Sequence, residues 1–318
     1  MSTTLPSTVP VPDAQAAIVV ARPEGPGAGQ WAGAPSAVLS DGVFHLAYRM
    51  RRPVGAGRGF ATVIARSEDG ESFETVSVLH QSDFDTDSFE RPALIRRPDG
   101  GWRLYVSCAT KDSLHWRVDV LDANDPADFH VGQRRDLLPG DERTAVKDPV
   151  VLHDGSRWLM WLCVHEIEDP ATADRMYSRF GTSTDGLDWQ WHGRALEPRV
   201  GRWDSRGARI ASVLLDQPTP VAYYDGRASF EENWFERTGI AVASTPGDPS
   251  SFAADGEDPV AMSPAGDGAL RYLSAVALPE GGYRLFYEAS CPDGSHDVRT
   301  ERSGPAAADR TVNEPPSR

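Results

Sequence analysis

The 318-residue chain carries 47 acidic side chains against 32 lysines and arginines, which gives it a formal net charge of −15. This charge argues against binding to nucleic acid phosphates or to an anionic membrane surface, because both need a basic face on the protein. Hydrophobic residues make up 40% of the chain, with nine Trp, eleven Phe and eight Tyr, and this is ample for a packed core.

The N-terminal 25 residues are rich in proline and alanine and are expected to form an extension. Their apolar run AAIVVA, at residues 16–21, is too short for a signal peptide or a membrane span, so a cytoplasmic protein is expected. The same run could add a strand that closes a ring built from repeats. The odd number of cysteines, Cys108, Cys163 and Cys291, indicates buried thiols in a reducing compartment. Without a CxxC or Cys/His ligand spacing, no metal site is predicted.

From residue 26 to residue 303 the chain repeats one pattern five times. Each copy opens with a small or apolar stretch, passes through a turn into an aromatic-rich strand, and ends in a short strand with a polar hairpin. Pro35, Pro92 and Pro149 stand at the same place in the first three copies, 57 residues apart. The copies read, in chain order, GAPSAVLSDGVFHLAY from Gly33, ERPALIRRPDGGWRLYVS from Glu90, KDPVVLHDGSRWLMWL from Lys147, ARIASVLLDQPTPVAYY from Ala208 and YLSAVALPEGGYRLFYEAS from Tyr272.

These copies predict an all-β, five-bladed β-propeller over residues 26–303. A period of about 50 to 60 residues with about four strands per unit is typical of propeller blades. Within a copy, Phe44, Leu46 and Tyr48 alternate with smaller or polar residues, as strands do, and no stretch has the pattern of a long amphipathic helix. Residues 304–318 are proline, alanine, serine and charged residues without apolar periodicity, so a disordered tail is expected there.

The innermost strand of each propeller blade faces the central channel, and its first residues crowd around one mouth of that channel. In this chain these strands are expected to begin near Ala34, Arg91, Asp148, Arg209 and Leu273. Functional side chains should therefore be found at one position that is repeated five times.

The repeat resembles the five-bladed β-propeller glycosidases, which include glycoside hydrolase families 43, 32, 68 and 130. DGVFHLAYRMR followed by IARSEDGESF in the first copy is similar to the family 130 phosphorylases, and TSTDGLDW in the third is similar to hairpins of families 43 and 32. The resemblance implies three inner-strand carboxylates, commonly just before a proline, that act as base or nucleophile, transition-state stabiliser and general acid.

The resemblance transfers only in part. Asp148 stands before Pro149 and matches, whereas Arg91 stands before Pro92 with Glu90 next to it, and the first copy has Ala34 before its proline. The Glu-Asp-Pro-Arg motif that carries the acid in family 130 would correspond here to Glu90-Arg91-Pro92, with the aspartate lost. Asp148 and Glu90 are therefore the acid/base candidates, and the carboxylate of the first copy is missing. Alternatively, Asp148 caps a turn or pairs with a cation, and Glu90 forms a salt bridge with Arg91 or Arg271.

Other charged residues extend the candidate site. Glu288 and Arg49 occupy equivalent positions in the second strands of their copies. They either point into the site, where Glu288 would be a third catalytic carboxylate, or pair with each other between the fifth and first copies. His165 is either a general base or a structural histidine. Cations near the inner-strand starts either form an anion pocket or neutralise nearby acids: Arg91, Lys147, Arg209 and Arg271. Three tryptophans are expected in loops on the site side, as sugar-stacking or packing residues: Trp31, Trp203 and Trp234.

Two functions remain open from the sequence. The first is a carbohydrate-active enzyme, a glycoside hydrolase or phosphorylase, that acts at the channel mouth through acid/base carboxylates. The alternative is a glycosidase-like propeller with a reassigned site, which binds a small polar or anionic metabolite or performs non-glycosidic chemistry. An interaction scaffold is the third and less favoured reading. No cofactor is predicted, although the channel could hold calcium or phosphate. The expected partner is a small-molecule carbohydrate or anionic metabolite, with no nucleic acid or membrane partner, and the sequence leaves the oligomeric state open.

Overall fold

The computed structural model describes residues 9–304. Residues 1–8 of the expected extension, and all but the first residue of the expected tail, lie outside this range. The strands are β1 Ile18–Ala21, β2 Trp31–Ser40, β3 Val43–Arg51, β4 Gly59–Ser67, β5 Glu74–His80, β6 Thr86–Arg96, β7 Trp102–Thr110, β8 Trp116–Ala123, β9 Arg135–Leu138, β10 Thr144–His153, β11 Trp158–Glu166, β12 Tyr177–Ser183, β13 Gln190–Leu196, β14 Gly207–Leu214, β15 Val221–Arg227, β16 Arg237–Thr245, β17 Asp248–Asp255, β18 Leu270–Ala277, β19 Tyr283–Ser290 and β20 His296–Ser303. Short 3-10 helices lie at Gln81–Phe84, Pro126–Asp128 and Val131–Gln133. The expected all-β class is confirmed.

The strands pair in the order in which they occur along the chain. β6–β9, β10–β13 and β14–β17 each form a four-stranded antiparallel sheet. β2–β5 form a further meander that joins β18–β20 in one larger sheet, through a single parallel pairing between Trp31 and His296. β1 pairs antiparallel with β20, so the N-terminal strand lies beside the last strand of the described chain. Short Gly-containing turns join the first and second strands of the meanders that begin with β2, β6, β10 and β18, and such turns favour antiparallel pairing of consecutive strands.

Apolar clusters lie between neighbouring units rather than within one sheet. Units 1 to 5 are β2–β5, β6–β9, β10–β13, β14–β17 and β18–β20 with β1. Trp161 and Phe180 of unit 3 pack with Ile210 and Tyr224 of unit 4, and similar clusters lie between units 1 and 2, 2 and 3, and 4 and 5. Phe286 packs with residues of unit 1 in another such cluster, so unit 5 also contacts unit 1. The first strand of each unit contacts the first strand of the next, and β18 contacts β2.

The first strand of every unit contains a bulge near its midpoint, where its register with the second strand shifts. The shifts lie between Gly33 and Ser36, Phe89 and Pro92, Lys147 and Val150, Ile210 and Ser212, and Arg271 and Ser274.

At three of these bulges a non-glycine residue adopts the left-handed conformation: Ala34 (φ 54°), Asp148 (φ 53°) and Tyr272 (φ 55°). This conformation is unfavourable for a side chain, and in each case a buried hydrogen bond holds it. The acceptor comes from the second strand of the preceding unit: Glu288 for the N–H of Ala34, Ser107 for that of Asp148 and Asp225 for that of Tyr272.

Among residues 9–304, no helix is long and apolar enough to cross a membrane.

Candidate functional site

A cavity of about 210 Å³ lies at the end of the molecule where the first strands begin. Its floor is formed by charged and aromatic side chains of the first and second strands and of the residue before β16, and its rim is formed by the loops between the second and third strands. The floor residues are Arg49, Glu90, Arg209, Glu236, Arg271 and Tyr272, and the rim residues used below are Leu114, Trp116, Ile167 and Trp234.

Glu90 is a carboxylate on the cavity floor, as the sequence indicated, and only 7% of its surface is exposed. It accepts a hydrogen bond from Nη1 of Arg49 and lies 3.4 Å from the hydroxyl of Tyr272, which donates to it. Burial alone would raise the pKa of Glu90, but the charges of Arg49, Lys147 and neighbouring arginines outweigh this and lower it to about 2. Glu90 is therefore ionised at neutral pH and cannot serve as a general acid in this state.

Glu288 is fully buried behind the cavity floor, where several donors occupy both of its carboxylate oxygens. Oε1 accepts from Nε and Nη2 of Arg271 at 3.0 and 2.8 Å and lies 2.7 Å from Nδ1 of His296. Oε2 accepts from Nη2 of Arg49 at 3.1 Å and from the N–H of Ala34 at 3.0 Å. The pairing of Glu288 with Arg49 between units 5 and 1 is one of the two alternatives left open by the sequence. Although burial raises its pKa, Arg271 and Arg49 hold the pKa well below the usual value.

Glu288 also occupies the space beside Gly33, the residue before Ala34 in the first unit. A Cβ atom built on Gly33 would lie 1.8 Å from Oε2 of Glu288. The carboxylate from β19 therefore fills the space that a side chain at residue 33 would need. The first unit consequently contributes backbone to this region while the fifth unit contributes the negative charge.

Asp148 does not line the cavity, which differs from the expectation from its place before Pro149. Its side chain is fully buried; Oδ1 accepts from the N–H of Arg91 at 3.0 Å and Oδ2 from Nη1 of Arg209 at 2.9 Å. The carboxylate is thus held by groups of units 2 and 4, which lie on either side of unit 3. The arrangement makes Asp148 a partner of cations, which is the structural alternative for this residue.

Arg209 and Arg271 reach the cavity floor, but buried acids already bind both of them. Arg209 donates from Nη2 to Asp225 at 2.8 Å and from Nη1 to the hydroxyl of Tyr272 at 3.0 Å. Arg271 donates to Glu236 as well as to Glu288. These two arginines therefore neutralise acids, and an incoming anion would have to compete with those carboxylates.

Glu236 is a floor carboxylate that the sequence reasoning missed. It immediately precedes β16, is 2% exposed, and binds both Arg271 and Arg227, the latter at 2.9 Å from Nη1. Burial raises its pKa, but these arginines together with Arg209 lower it well below the usual value. The segment SFEENWFER contains three glutamates, and nothing in the local sequence distinguishes the one that faces the site.

Arg91 lies apart from the other predicted cations. It lines a second cavity, of about 680 Å³, toward the far ends of the first strands, and its Nη2 donates to the carbonyl of Pro35 at 3.2 Å. Burial lowers the pKa of Arg91 to about 10. The structure therefore does not bring all four cations into one pocket.

Lys147 and Arg58 are cavity cations that are not hydrogen-bonded to a carboxylate in the described part of the chain. Nζ of Lys147 lies 3.8 Å from Asp148 and 5.1 Å from the ring centroid of Trp116, and the guanidinium of Arg58 lies 5.5 Å from the same ring. Arg58 was not singled out from the sequence, because it lies in the β3–β4 loop outside the repeated positions.

His165 also lines the cavity, but its contacts fit a structural role. Its Nδ1 lies 3.3 Å from the carbonyl of Ala173 and its Nε2 lies 3.7 Å from the sulfur of Cys163. Burial, reinforced by the charge of Lys147, lowers the pKa of His165 well below its usual value, so the imidazole is neutral at physiological pH.

The three tryptophans occupy different environments. Trp31 belongs to β2 rather than to a loop, is 3% exposed, and stacks on His296 with 4.6 Å between ring centroids. Trp234 lies at the rim and is 41% exposed. Trp203 stacks on Tyr224 with 5.6 Å between centroids and does not line the cavity, so it is a packing residue.

Within residues 9–304, no group of three or more His, Cys, Asp or Glu side chains is arranged to hold a metal ion.

Comparison with known proteins finds similarity in structure alone. No family model and no curated protein matches the chain. A thermostable family-43 glycoside hydrolase superposes with a TM-score of 0.65 at 15% identity, covering 85% of this chain and 89% of that one. The α-L-arabinofuranosidase from Lactobacillus brevis superposes with a TM-score of 0.66 at 15% identity, covering 92% of this chain and 94% of that one.

A third solved structure comes from family 130, described as mannoside phosphorylases that include hydrolases of β-1,2 mannosidic linkages in Candida mannan. It superposes with a TM-score of 0.61 at 16% identity, covering 97% of this chain and 95% of that one. The chain has the fold of the β-propeller glycosidases. The resemblance seen in the repeat is thus confirmed for the fold, while identities this low leave activity to be argued from the site.

Proposed function

We propose that the protein is a five-bladed β-propeller and a carbohydrate-active enzyme that acts on a glycosidic bond at the floor cavity. The blade number is supported by the units defined above, which contact one another in order, with unit 5 against unit 1. Closure of the ring by β1 is supported by its pairing with β20. A cytoplasmic location and a small-molecule partner remain predictions.

The observation that carries the enzymatic proposal is the pair formed by Glu90 and Tyr272 on the cavity floor. The carboxylate is ionised, whereas burial raises the pKa of Tyr272 well above its usual value and keeps its hydroxyl protonated. A base and a proton donor thus share one hydrogen bond beside a cavity whose wall includes the half-buried Trp116. An aromatic wall of this kind suits the apolar face of a sugar ring.

This pair can complete a hydrolytic cycle without a protonated carboxylic acid. Because the two groups share a hydrogen bond, they lie on one side of the sugar. The bond from the anomeric carbon to the leaving oxygen therefore breaks first, and the oxygen of a water molecule then bonds to that carbon from the same face. Glu90 takes the proton of the water, and Tyr272 gives its proton to the leaving oxygen. Tyr272 then recovers a proton from Glu90 along their hydrogen bond. If phosphate attacks in place of water, Glu90 is not needed as a base, and the reaction is a phosphorolysis.

A screen of aryl glycosides with and without phosphate tests the proposal. We expect turnover by the wild type, and a loss of about 10²-fold or more in kcat/KM for hydrolysis in Glu90→Gln. The matched control is Glu74→Gln, since Glu74 is exposed on β5, forms a surface ion pair with Arg66 and does not line the cavity. Absence of turnover by the wild type, or equal rates in the two variants and the wild type, would refute the mechanism.

The second candidate function is binding of a small anionic metabolite at a reassigned site. It is favoured by Lys147 and Arg58, which flank Trp116 without a carboxylate hydrogen bond, and by the low pKa of Glu90, which leaves this residue unsuited to act as an acid. Titration calorimetry with sugar phosphates and sugar acids tests it. Binding without turnover that is lost in Lys147→Met would favour this function over the first.

A further inference from the structure

The cavity has a charged floor and a rim that carries exposed apolar side chains. The floor presents the charged groups of Arg49, Glu90 and Arg209, whereas the rim presents Leu114 and Trp234. Leu114 is 76% exposed and Trp234 is 41% exposed, so both apolar side chains present accessible surface at the rim.

Apolar side chains occur on several rim loops, beside the polar lining residues Arg58, Asp174 and Asn233. Leu114 belongs to the β7–β8 loop, Trp116 begins β8, and Ile167 follows β11; the last two are half-buried. Leu114 and Ile167 offer no side-chain hydrogen bond to a ligand. Val54 and Phe230, 64% and 60% exposed, lie on the corresponding β3–β4 and β15–β16 loops and extend the apolar character of this end. Exposed apolar side chains grouped around a cavity mark a binding surface more often than single ones do.

Trp234 is held at the rim in an unusual conformation. Its φ of 93° lies in the region that favours glycine, and residues kept in such conformations cluster at ligand-binding sites. The indole packs edge-on against Trp31, with 6.0 Å between ring centroids, and the guanidinium of Arg51 lies 5.0 Å from it. These contacts fix one side of the indole while leaving a large part of its surface exposed beside the cavity.

We infer that the ligand is a glycoside with an apolar aryl or alkyl aglycone, with its sugar on the floor and its aglycone against Leu114 and Trp234. The inference rests on the proposed function for the floor. A sugar can exchange hydrogen bonds with the charged floor, whereas an apolar group there would remove water from Glu90 and Arg49 without replacing its hydrogen bonds. An apolar aglycone covers Leu114 and Ile167, whereas a second sugar would place hydroxyls against these two side chains, which offer no hydrogen bond.

Calorimetric binding of paired ligands tests the inference independently of turnover. The probes are the methyl and octyl glycosides of glucose, mannose, galactose, xylose and arabinose, each below its micelle concentration. We expect an octyl glycoside to bind about tenfold or more tightly than the methyl glycoside of the same sugar. Leu114→Asp should weaken octyl binding about tenfold and change methyl binding by less than about twofold.

The matched control is Val200→Asp, which makes the same change from apolar to acidic at a residue that is 97% exposed and does not line this cavity. Octyl glycoside binding that is weakened by Leu114→Asp and not by Val200→Asp supports the inference. If these glycosides bind in this way and none is turned over, the enzymatic proposal fails and the inference on the aglycone stands. Equal affinities for methyl and octyl glycosides, equal losses in the two variants, or no binding by any probe would overturn it.

Discussion

Gly33→Ala is the change that most directly tests how the site is built. The added Cβ would lie 1.8 Å from Oε2, 2.3 Å from Cδ and 2.7 Å from Cγ of Glu288. Contacts this short cannot be relieved by small shifts, so Glu288 has to leave its position. Gly33 has no left-handed φ, and backbone strain therefore adds nothing to the expected effect.

The cost follows from the contacts that Glu288 would lose. Displacement of the carboxylate removes an acceptor from Arg49, Arg271 and the N–H of Ala34, all of which are buried. Breaking a buried ion pair by removing one partner costs about 3–5 kcal/mol. We therefore expect Gly33→Ala to lower the free energy of unfolding by about this amount, a large part of the stability of a typical domain.

Urea unfolding followed by tryptophan fluorescence measures the change. Gly25→Ala is the control, because a Cβ at Gly25 meets only the side chain of Gln30, at 3.8 Å. In a Glu288→Ala background the clash is gone, so Gly33→Ala should add no more than about 0.5 kcal/mol. If Gly33→Ala alone is as stable as Gly25→Ala, the proposed clash with Glu288 is refuted. If Glu288→Ala does not fold, the comparison of Gly33→Ala with Gly25→Ala still tests the clash.

Three further results are expected. The pKa of Glu90 is lowered from 4.5 to about 2, so the ionised carboxylate contributes fully to stability above about pH 4.5, and this contribution is lost as the pH falls toward 2. In Glu90→Gln the urea midpoint should therefore fall less steeply with pH between 4.5 and 2. The same pH dependence in the variant and the wild type would contradict the lowered pKa. In the native protein, no cysteine other than Cys291 should react rapidly with a thiol reagent, because burial raises the pKa of Cys163 to about 12 and that of Cys108 well above its usual value. Two or more rapidly reacting thiols would be inconsistent with this packing. Removal of residues 1–22 should lower the melting temperature in calorimetry, since it uncovers the edge of β20, and an unchanged melting temperature would count against closure by β1.

The repeat could be read from the sequence because strand and turn signals are local. The alternation around Phe44 and Leu46 recurs in later copies, and Pro35, Pro92 and Pro149 mark the same place in the first three. Two of those prolines, Pro35 and Pro149, directly follow the left-handed bulge residues Ala34 and Asp148. The sequence therefore located the special backbone positions of the first strands without showing what their side chains contact.

The roles of the charged residues could not be read in the same way. Asp148 and Glu90 stand at similar places in their copies, yet one is enclosed by Arg209 and the N–H of Arg91 while the other faces the cavity. The difference arises from Arg209, which lies 61 residues along the chain from Asp148. Similarly, the carboxylate beside Gly33 comes from Glu288 of the fifth unit. Glu288 accepts a hydrogen bond from the N–H of Ala34, which lies 254 residues away along the chain.

Local patterns were thus sufficient for the all-β class and the repeat, since both depend on residues that are close in sequence. The choice of Glu90, Glu236 and Tyr272 as cavity-facing groups was made by tertiary packing. A buried charge is unfavourable unless it is paired, and the partners here come from neighbouring units. These partners are distant along the chain, so the sequence around a charged residue does not indicate them.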